Sequence, residues 1–169
     1  MAERVILVNG LPGSGKTTLA RRLGAALDVP VVSKDAVKEG LLTAVPEARP
    51  AGLGAVAMEA AWSMATDFVG TVVLESWWFR PRDLEFTVAA WRRCGEPLLV
   101  EVWCEVPAEV ARGRYANRVR HPMYEDARHL ATSWDDWARR AEPLAIGAVV
   151  RVDTSADVDV AAIVPKLTG

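Results

Sequence analysis

The sequence predicts an α/β fold in which helices cover both faces of a parallel sheet. Short runs of β-branched and other apolar residues recur along the chain, and most are separated by stretches with apolar residues at helical spacing. A glycine-rich segment follows the first run directly. Strands that alternate with helices form right-handed βαβ units, which build parallel sheets. A chain of 169 residues suits one domain, predicted to span 1–169.

Five nearly continuous apolar runs have the composition of strands that are buried on both faces of a sheet. In chain order the predicted strands cover residues 4–9, 30–33, 71–75, 97–104 and 147–152.

Helical spacing fills the intervals between these strands. Leu19, Leu23 and Leu27 lie on one face of a first predicted helix, and a helix is expected to begin near Asp35. Further predicted helices cover residues 51–68, 83–93 and 108–119.

An arginine-rich segment, residues 112–140, interrupts this regular alternation. It is broken at Pro122, and its pattern predicts two helices joined by a basic turn. An insertion of this kind in a compact α/β domain is more often a functional lid than a linker. We therefore call residues 112–140 the lid segment.

The overall charge excludes several classes of function. A net charge of −2 and a pI near 5.7 provide no sequence-wide attraction for nucleic acid or an acidic membrane surface. The longest apolar stretch, residues 51–70, contains Glu59 and Asp67 and therefore does not suit a membrane span. The chain begins without a signal-peptide pattern, and Cys94 and Cys104 are expected to be free thiols. These features predict a cytoplasmic location.

The segment from Gly10 to Thr17 matches the phosphate-loop pattern G-x-x-x-x-G-K-[ST] between a predicted strand and a predicted helix. Glycines allow successive amide groups to surround phosphate oxygens, and the helix N-terminus adds partial positive charge. Lys16 is expected to reach the β- and γ-phosphates, and the Thr17 hydroxyl to coordinate Mg²⁺. The predicted nucleotide-binding residues of this loop are Gly10, Leu11, Pro12, Gly13, Ser14, Gly15, Lys16, Thr17 and Thr18.

Two carboxylates follow predicted strands at the edge of the sheet where ligands bind. Asp35, after the second strand, is a candidate base for the hydroxyl of a phosphate acceptor, and its alternative role is to cap the helix that begins there. Glu75 ends the third strand and is predicted to hold the Mg²⁺ shell through water. Its alternative is an exposed carboxylate at a strand end.

The lid segment supplies candidate cations for the transferring phosphate. Arg114 and Arg118 are four residues apart and are expected to share one helix face, with Arg120 beyond them in the turn. A guanidinium can bind two phosphate oxygens at once. The alternative for any one of these arginines is a solvated surface residue.

The acceptor pocket is predicted between Asp35, the third helix and the loop of residues 76–82. Trp77 and Trp78 would favour a partly apolar acceptor, and Arg80 a polar or anionic group on it. Burial in the core is the alternative role of the tryptophans. The predicted acceptor residues are Asp35, Met58, Trp62, Trp77, Trp78 and Arg80.

The motifs GLPGSGKTT, SKD, VVLES and RYANRVRHPMYEDAR together resemble those of small P-loop kinases. The resemblance is to the family that includes chloramphenicol phosphotransferase, zeta-toxin-like kinases and gluconate kinase. It implies a three-layer fold with the five-stranded sheet in order 2-3-1-4-5, a mobile helical lid rich in arginine, and ATP as donor. It also implies that Asp35 is the base, that Arg114 and Arg118 embrace the phosphates, and that Thr154 and Ser155 lie beside the adenine. Many members have Asp where this chain has Glu75.

The sequence as a whole predicts a cytoplasmic, ATP- and Mg²⁺-dependent phosphotransferase. Its expected reaction moves the γ-phosphate to a hydroxyl of a small metabolite or an antibiotic-like molecule, with Lys16, Asp35, Arg114 and Arg118 as the catalytic residues. Two alternatives stay open: a kinase of nucleotides, nucleosides or polynucleotide ends, and a nucleotide-binding regulator without an acceptor. No nucleic acid or membrane partner is expected, and the protein could be a monomer or a homodimer.

Overall fold

A computed structural model describes residues 2–47 and 50–169 and contains one five-stranded parallel sheet with helices on both faces. The sheet order is β2-β3-β1-β4-β5, which confirms the predicted fold class and the order implied by the resemblance. Each strand begins and ends within two residues of its prediction. The strands are β1 (Ala2–Asn9), β2 (Val31–Ser33), β3 (Gly70–Glu75), β4 (Leu98–Glu105) and β5 (Ala148–Asp153).

The helices follow the predicted alternation with strands. On the described ranges 2–47 and 50–169, none of them is both long and apolar enough to cross a membrane. They are α1 (Lys16–Leu27), α2 (Lys34–Ala44), α3 (Pro50–Asp67), α4 (Arg80–Arg93), α5 (Ala108–Asn117), α6 (Asp126–Thr132), α7 (Trp134–Arg140) and α8 (Val164–Thr168).

The two faces of β1 divide the hydrophobic core into two layers. Val5 and Leu7 belong to the layer that includes α3 and α4, whereas Ile6 and Val8 belong to the layer that includes α1 and α8. All four side chains are fully buried. This burial on both faces explains why the strand sequence is continuously apolar rather than alternating.

A third cluster of buried side chains connects the phosphate loop to the lid segment. It consists of Leu11 from the loop, Ala111 and Tyr115 from α5, and Trp134 from α7. The Tyr115 and Trp134 rings lie 5.7 Å apart between centroids. The lid segment therefore has its own apolar packing against the loop.

The lid segment differs in detail from its prediction. Helix α5 ends at Asn117, two residues before the predicted end at residue 119, because Arg118 has an extended backbone. A short 3₁₀ turn, Pro122–Tyr124, then precedes α6 and α7. The segment thus contains more helical pieces than the two expected, and the C-terminal helix α8 has no counterpart in the prediction.

Candidate active site

The phosphate loop lies at the carboxyl end of β1, the central strand of the sheet. Gly10, Gly13 and Gly15 all have positive φ, so the chain reverses tightly before α1 begins at Lys16. The Lys16 ammonium donates a hydrogen bond of 2.8 Å to the Leu11 carbonyl across the loop. This arrangement has the form that binds phosphate at a helix N-terminus.

Gly13 is required by packing as well as by its backbone conformation. Its φ is +83°, and a Cβ at this position would overlap the carbonyl oxygen of Ala111 in α5. The close approach brings the first helix of the lid segment directly onto the loop. Gly13 is therefore needed for the packing of α5 against the loop, a requirement that the motif by itself does not predict.

Lys16 is 92% shielded from solvent, since its exposed fraction is 8%. Burial lowers its pKa, while the nearby negative charge of Glu75 opposes this shift. A buried cation without a full ion pair favours an anionic ligand, because the ligand would replace the solvation that the ammonium has lost.

Glu75 is buried at the end of β3, with 5% of its surface exposed. The parallel register sets it beside Ser33, whose hydroxyl donates a hydrogen bond of 2.7 Å to the carboxylate. The alternative of an exposed strand-end carboxylate is therefore wrong. Glu75 and Thr17 line the same cavity. The described part of the chain holds no group of three or more His, Cys, Asp or Glu that could bind a metal alone.

Asp35 lies in the first turn of α2, and Ser33 occupies the N-cap position instead. The Asp35 carboxylate accepts a hydrogen bond of 3.0 Å from Arg120, and the Lys34 ammonium lies 3.5 Å from it. The alternative role of Asp35 as the helix cap is therefore wrong. Its carboxylate instead faces the cations of the lid segment.

Arg114 and Arg118 do not share a helix face, contrary to the prediction, because α5 ends between them. Arg114 donates hydrogen bonds to the carbonyls of Thr154 (3.0 Å) and Ser155 (2.9 Å). Arg118 instead bonds to Asp126 at 3.0 Å and lies over the Tyr115 ring, 4.0 Å from its centroid. Both arginines nevertheless line the cavity of the phosphate loop.

Asp126 holds Arg118 and Arg120 together at the edge of this cavity. Arg120 donates to both Asp126 oxygens, at 2.6 and 2.8 Å, in addition to its bond to Asp35. Partial burial raises the pKa of Asp126, but hydrogen bonds from the two arginines outweigh it and keep the pKa well below its usual range. Asp126 therefore stays ionised and fixes two guanidinium groups.

Tyr124 attaches the lid segment to α2. Its hydroxyl donates to the Glu39 carboxylate at 2.9 Å and contacts the Asp35 carbonyl at 3.2 Å. The Arg120 guanidinium lies 3.5 Å from the centre of its ring. The helix that carries Asp35 and the turn that carries the arginines are thus joined by several contacts.

We call the cavity of about 480 Å³ beside the loop the phosphate cavity. It brings together residues that are distant in sequence, from the loop, the ends of β2 and β3, and the lid segment. Gly10, Leu11 and Ser14 of the predicted loop do not line it, and the Ser14 amide instead donates to the Leu11 carbonyl at 3.0 Å. The predicted site residues that line the cavity are Pro12, Gly13, Gly15, Lys16, Thr17, Thr18, Asp35, Glu75, Trp77, Arg114 and Arg118.

A smaller cavity of about 170 Å³ lies beside the turn after β5, where the resemblance implies the adenine. Thr18, Arg114 and Thr154 line it. Ser155 reaches the arginine through its carbonyl oxygen only, and its hydroxyl donates to Asp153 at 2.6 Å.

A further cavity of about 420 Å³, which we call the second cavity, lies next to the phosphate cavity. Lys34, Trp77 and Arg82 line both. Met58 and Trp77, two of the predicted acceptor residues, line the second cavity.

Three predicted acceptor residues do not line either cavity. Trp62 and Trp78 are each 1% exposed and belong to the core beneath the sheet, as the core-filling alternative stated. Arg80 turns away, donating to Glu142 at 2.9 Å and to the Leu144 carbonyl at 3.3 Å. These three assignments are corrected: packing, not ligand contact, accounts for their positions.

The sequence did not identify Lys34 or Asp126 as site residues, named Arg82 only with Arg80 as a possible contact for a phosphate-bearing acceptor, and left Arg120 without a partner. Lys34 is adjacent to Asp35, and Asp126 lies within the quoted lid motif, so a weak signal existed for both. No local pattern distinguishes Arg82 from Arg80, because which of the two faces the cavity depends on how α4 packs.

A family model described as AAA domain matches residues 5–144 of this chain. This range covers the loop, both candidate carboxylates and the whole lid segment. No curated protein matches the sequence.

Several solved structures share the fold over nearly the whole chain. A protein from Chloroflexus aurantiacus with a provisional kinase assignment has a TM-score of 0.75 at 23% identity, covering 98% of each chain. A gluconokinase from Sinorhizobium meliloti has a TM-score of 0.61 at 19% identity, covering 98% of this chain and 89% of its own. A deoxyadenosine kinase from M. mycoides has a TM-score of 0.54 at 15% identity, covering 96% and 97%. At these identities the likeness establishes a kinase-like P-loop fold.

Proposed function

This chain belongs to the AAA domain family and has the fold of the small P-loop kinases, and from that premise we propose that it is an ATP-dependent phosphotransferase. Its reaction would move the γ-phosphate of ATP to a hydroxyl of a small molecule. The bond from the γ-phosphorus to the ADP oxygen breaks, a bond to the acceptor oxygen forms, and the hydroxyl proton leaves to a base.

One observation supports this proposal above the others. Lys16 of the loop, the candidate base Asp35 and the arginines of the lid segment line a single cavity, and a second cavity opens from it. A nucleotide-binding regulator has no need of a carboxylate beside the phosphate site or of a second compartment. Phosphoryl transfer to an acceptor requires both.

The residues present fit ATP with Mg²⁺. The loop has three glycines at positive φ, and the buried Lys16 lies beside Thr17 at the start of α1. We propose that Thr17 coordinates the ion and that Glu75 holds its shell through water. Bound MgATP supplies the phosphoryl group and divalent charge near the transferred oxygens.

Different side chains of the protein would have different roles in the transfer. Asp35 would accept or orient the proton of the acceptor hydroxyl. Lys16 and Arg118 would stabilise the negative charge on the transferring group, and Arg114 would hold the nucleotide near the turn after β5. Arg120 already bonds to Asp35, so it would set the position of the base as well.

The proposal includes residues 112–140 as a lid that closes over the phosphates, within a domain that spans residues 1–169. It also includes a cytoplasmic location, since Cys94 and Cys104 are buried and unpaired, as is usual in reducing compartments. Either a monomer or a homodimer would be compatible with the site.

The proposal is tested by titrating ATP in the presence of Mg²⁺ by calorimetry, followed by a mass-spectrometric screen of hydroxyl compounds incubated with protein and ATP. We expect ATP binding and a phosphorylated product 80 Da heavier than its acceptor, the mass of one added HPO₃ group. Lys16→Ala should weaken ATP binding and abolish most transfer, because it removes the buried cation of the loop. Lys166→Ala, in α8, is the control and should behave as wild type.

Each outcome separates the alternatives. ATP binding without any product would favour the regulatory alternative, and products confined to nucleosides or nucleotides would favour the second kinase alternative. Unchanged binding and transfer in Lys16→Ala would contradict the loop assignment itself.

A further inference from the structure

The second cavity is placed where an acceptor would meet the phosphate. It shares Lys34, Trp77 and Arg82 with the phosphate cavity, so a molecule inside it would present its hydroxyl at this shared boundary. Asp35 lies on the phosphate side of that boundary, directly after Lys34. This placement rests on the proposed function, but the chemistry of the cavity walls can be judged independently.

Most of the cavity wall is apolar. Met58 is 8% exposed and belongs to the core, and the partly buried Phe86 packs against the same core. The Trp77 ring lies 5.6 Å from that of Phe79 and 6.3 Å from that of Trp137, which holds it in a fixed orientation. Three large apolar side chains therefore surround a ligand here without needing to rearrange.

The charged groups of the wall already have partners, whereas the buried Nε1 of Trp77 donates to no described protein atom. Arg82 forms two hydrogen bonds of 2.7 Å with Asp83, and Asp83 also accepts a bond of 2.8 Å from the Phe79 amide. Lys34 lies beside the Asp35 carboxylate at the boundary. Each charge on the wall is therefore balanced by an opposite charge, so no unpaired ion is left to bind a charged group of the ligand.

Small residues on α3 make the space in this cavity. Gly54 and Ala55 line it, and a Cβ built on Gly54 would meet no other atom within 4 Å. The volume of about 420 Å³ lies near the lower end of the range for small-molecule sites. The cavity suits a molecule with one ring or a compact branched body.

We propose that the acceptor is an uncharged molecule with a compact, preferably aromatic, apolar body and a hydroxyl that reaches Asp35 at the boundary of the two cavities. A polyol acid would lose its hydrogen bonds to water against Met58, Trp77 and Phe86, and its carboxylate would find no unpaired cation on the wall. A nucleoside base has several polar atoms along its edge, and the Trp77 Nε1 could pair with one of them only.

The experiment measures the binding of three probes to protein saturated with a non-hydrolysable ATP analogue and Mg²⁺. The probes are 3-phenyl-1-propanol, gluconate and deoxyadenosine, and binding is followed by ligand-detected NMR titration. Gly54→Leu fills the cavity with a side chain that meets no protein atom at its Cβ. Gly52→Leu is the matched control, since it has the same open surroundings on α3 and does not line the cavity.

We expect 3-phenyl-1-propanol to bind wild type and Gly52→Leu with equal affinity. It should bind Gly54→Leu at least about tenfold more weakly, because exclusion of its ring from the cavity accounts for an energy difference of that size. Affinity for the ATP analogue should be the same in all three proteins. The proposal is overturned if gluconate or deoxyadenosine binds more tightly than 3-phenyl-1-propanol, or if Gly54→Leu binds this probe as wild type does.

Incubating the same proteins with ATP separates this proposal from the proposed function. Binding of 3-phenyl-1-propanol that depends on Gly54 but never yields a phosphorylated product would support the apolar cavity and contradict phosphotransfer. A phosphorylated polyol or nucleoside would support phosphotransfer and overturn the acceptor class.

Discussion

The phosphate cavity and the second cavity lie side by side but are built in different ways. The phosphate cavity is rich in charged groups, and six of the residues that line it come from the short segment Pro12 to Thr18. The second cavity combines apolar side chains with Lys34, Arg82 and Asp83, and its wall comes from α2, α3, α4 and the loop after β3. Among the described residues, Lys34, Trp77 and Arg82 are the ones that line both.

This difference separates the general part of the chemistry from the specific part. Binding and transferring a phosphate require the same charges whatever the acceptor, whereas recognising an acceptor depends on the shape of a composite wall. Substitutions in the phosphate cavity should therefore lower turnover for every acceptor. Substitutions in the second cavity should change the acceptor preference and leave ATP binding alone.

The largest effect is expected for Asp35→Asn, at the phosphate side of the boundary. Turnover should fall by about two to four orders of magnitude, since the change removes a positioned base but keeps the size of the side chain. ATP affinity and the unfolding temperature should change little. The measurement is kcat with saturating ATP and acceptor, compared with Asp67→Asn, an exposed carboxylate at the end of α3. Turnover within a few-fold of wild type would show that the base lies elsewhere.

The next largest effect concerns Arg114 and Arg118, which lie on either side of the end of α5. Arg118→Ala should lower kcat by about tenfold to a thousandfold, more than it weakens ATP binding, because Arg118 lines the phosphate cavity and is proposed to stabilise the transferring group. Arg114→Ala should chiefly weaken ATP binding, since Arg114 bonds to the turn after β5. Calorimetry, which measures ATP affinity, and steady-state kinetics of both variants test whether the two arginines have these separate roles. Equal losses of affinity and turnover in Arg118→Ala would assign this arginine to ground-state nucleotide binding.

A smaller effect, confined to the second cavity, is expected for Phe86→Leu. Loss of the ring should raise the KM for the acceptor by about three- to tenfold, which corresponds to about 1 kcal/mol of lost contact. The KM for ATP should not change. Phe68→Leu is the matched control, because Phe68 packs against the same core and does not line the cavity. An equal change in both KM values would contradict the division between the cavities.

The smallest effect is expected for Arg80→Ala, a residue that lines neither cavity. Its ion pair with Glu142 is substantially exposed, so stability should change by less than about 1 kcal/mol. Acceptor and ATP parameters should stay within about twofold of wild type. Arg82→Ala, two residues away, should instead weaken acceptor binding measurably. If the two variants behaved alike in kinetics, the orientation of α4 in the structure would be contradicted.

The strands and the loop could be predicted from the sequence because their signals are local. Residues 5–8 are all apolar and fully buried, and the loop motif begins two residues later. Backbone hydrogen bonding and burial on both faces leave a strand of that composition few alternatives. The end of α5 was harder to predict. Arg118 leaves the helix to bond to Asp126, which is eight residues further along the chain.

The direction of individual side chains was decided by tertiary packing. Trp77 and Trp78 are neighbours with the same chemistry, yet one faces both cavities and the other is 1% exposed in the core. Both lie in the loop after β3, where the Asn9 side chain of β1 bonds to the Trp78 amide at 3.0 Å and to its carbonyl at 3.1 Å. This contact between separate elements helps to decide which tryptophan is available to a ligand. By itself the sequence determined a nucleotide-type phosphate loop on a parallel sheet, since those features depend on contiguous residues. The wall of the second cavity and the contact of Arg120 with Asp35, 85 residues apart, arise only when separate elements pack together.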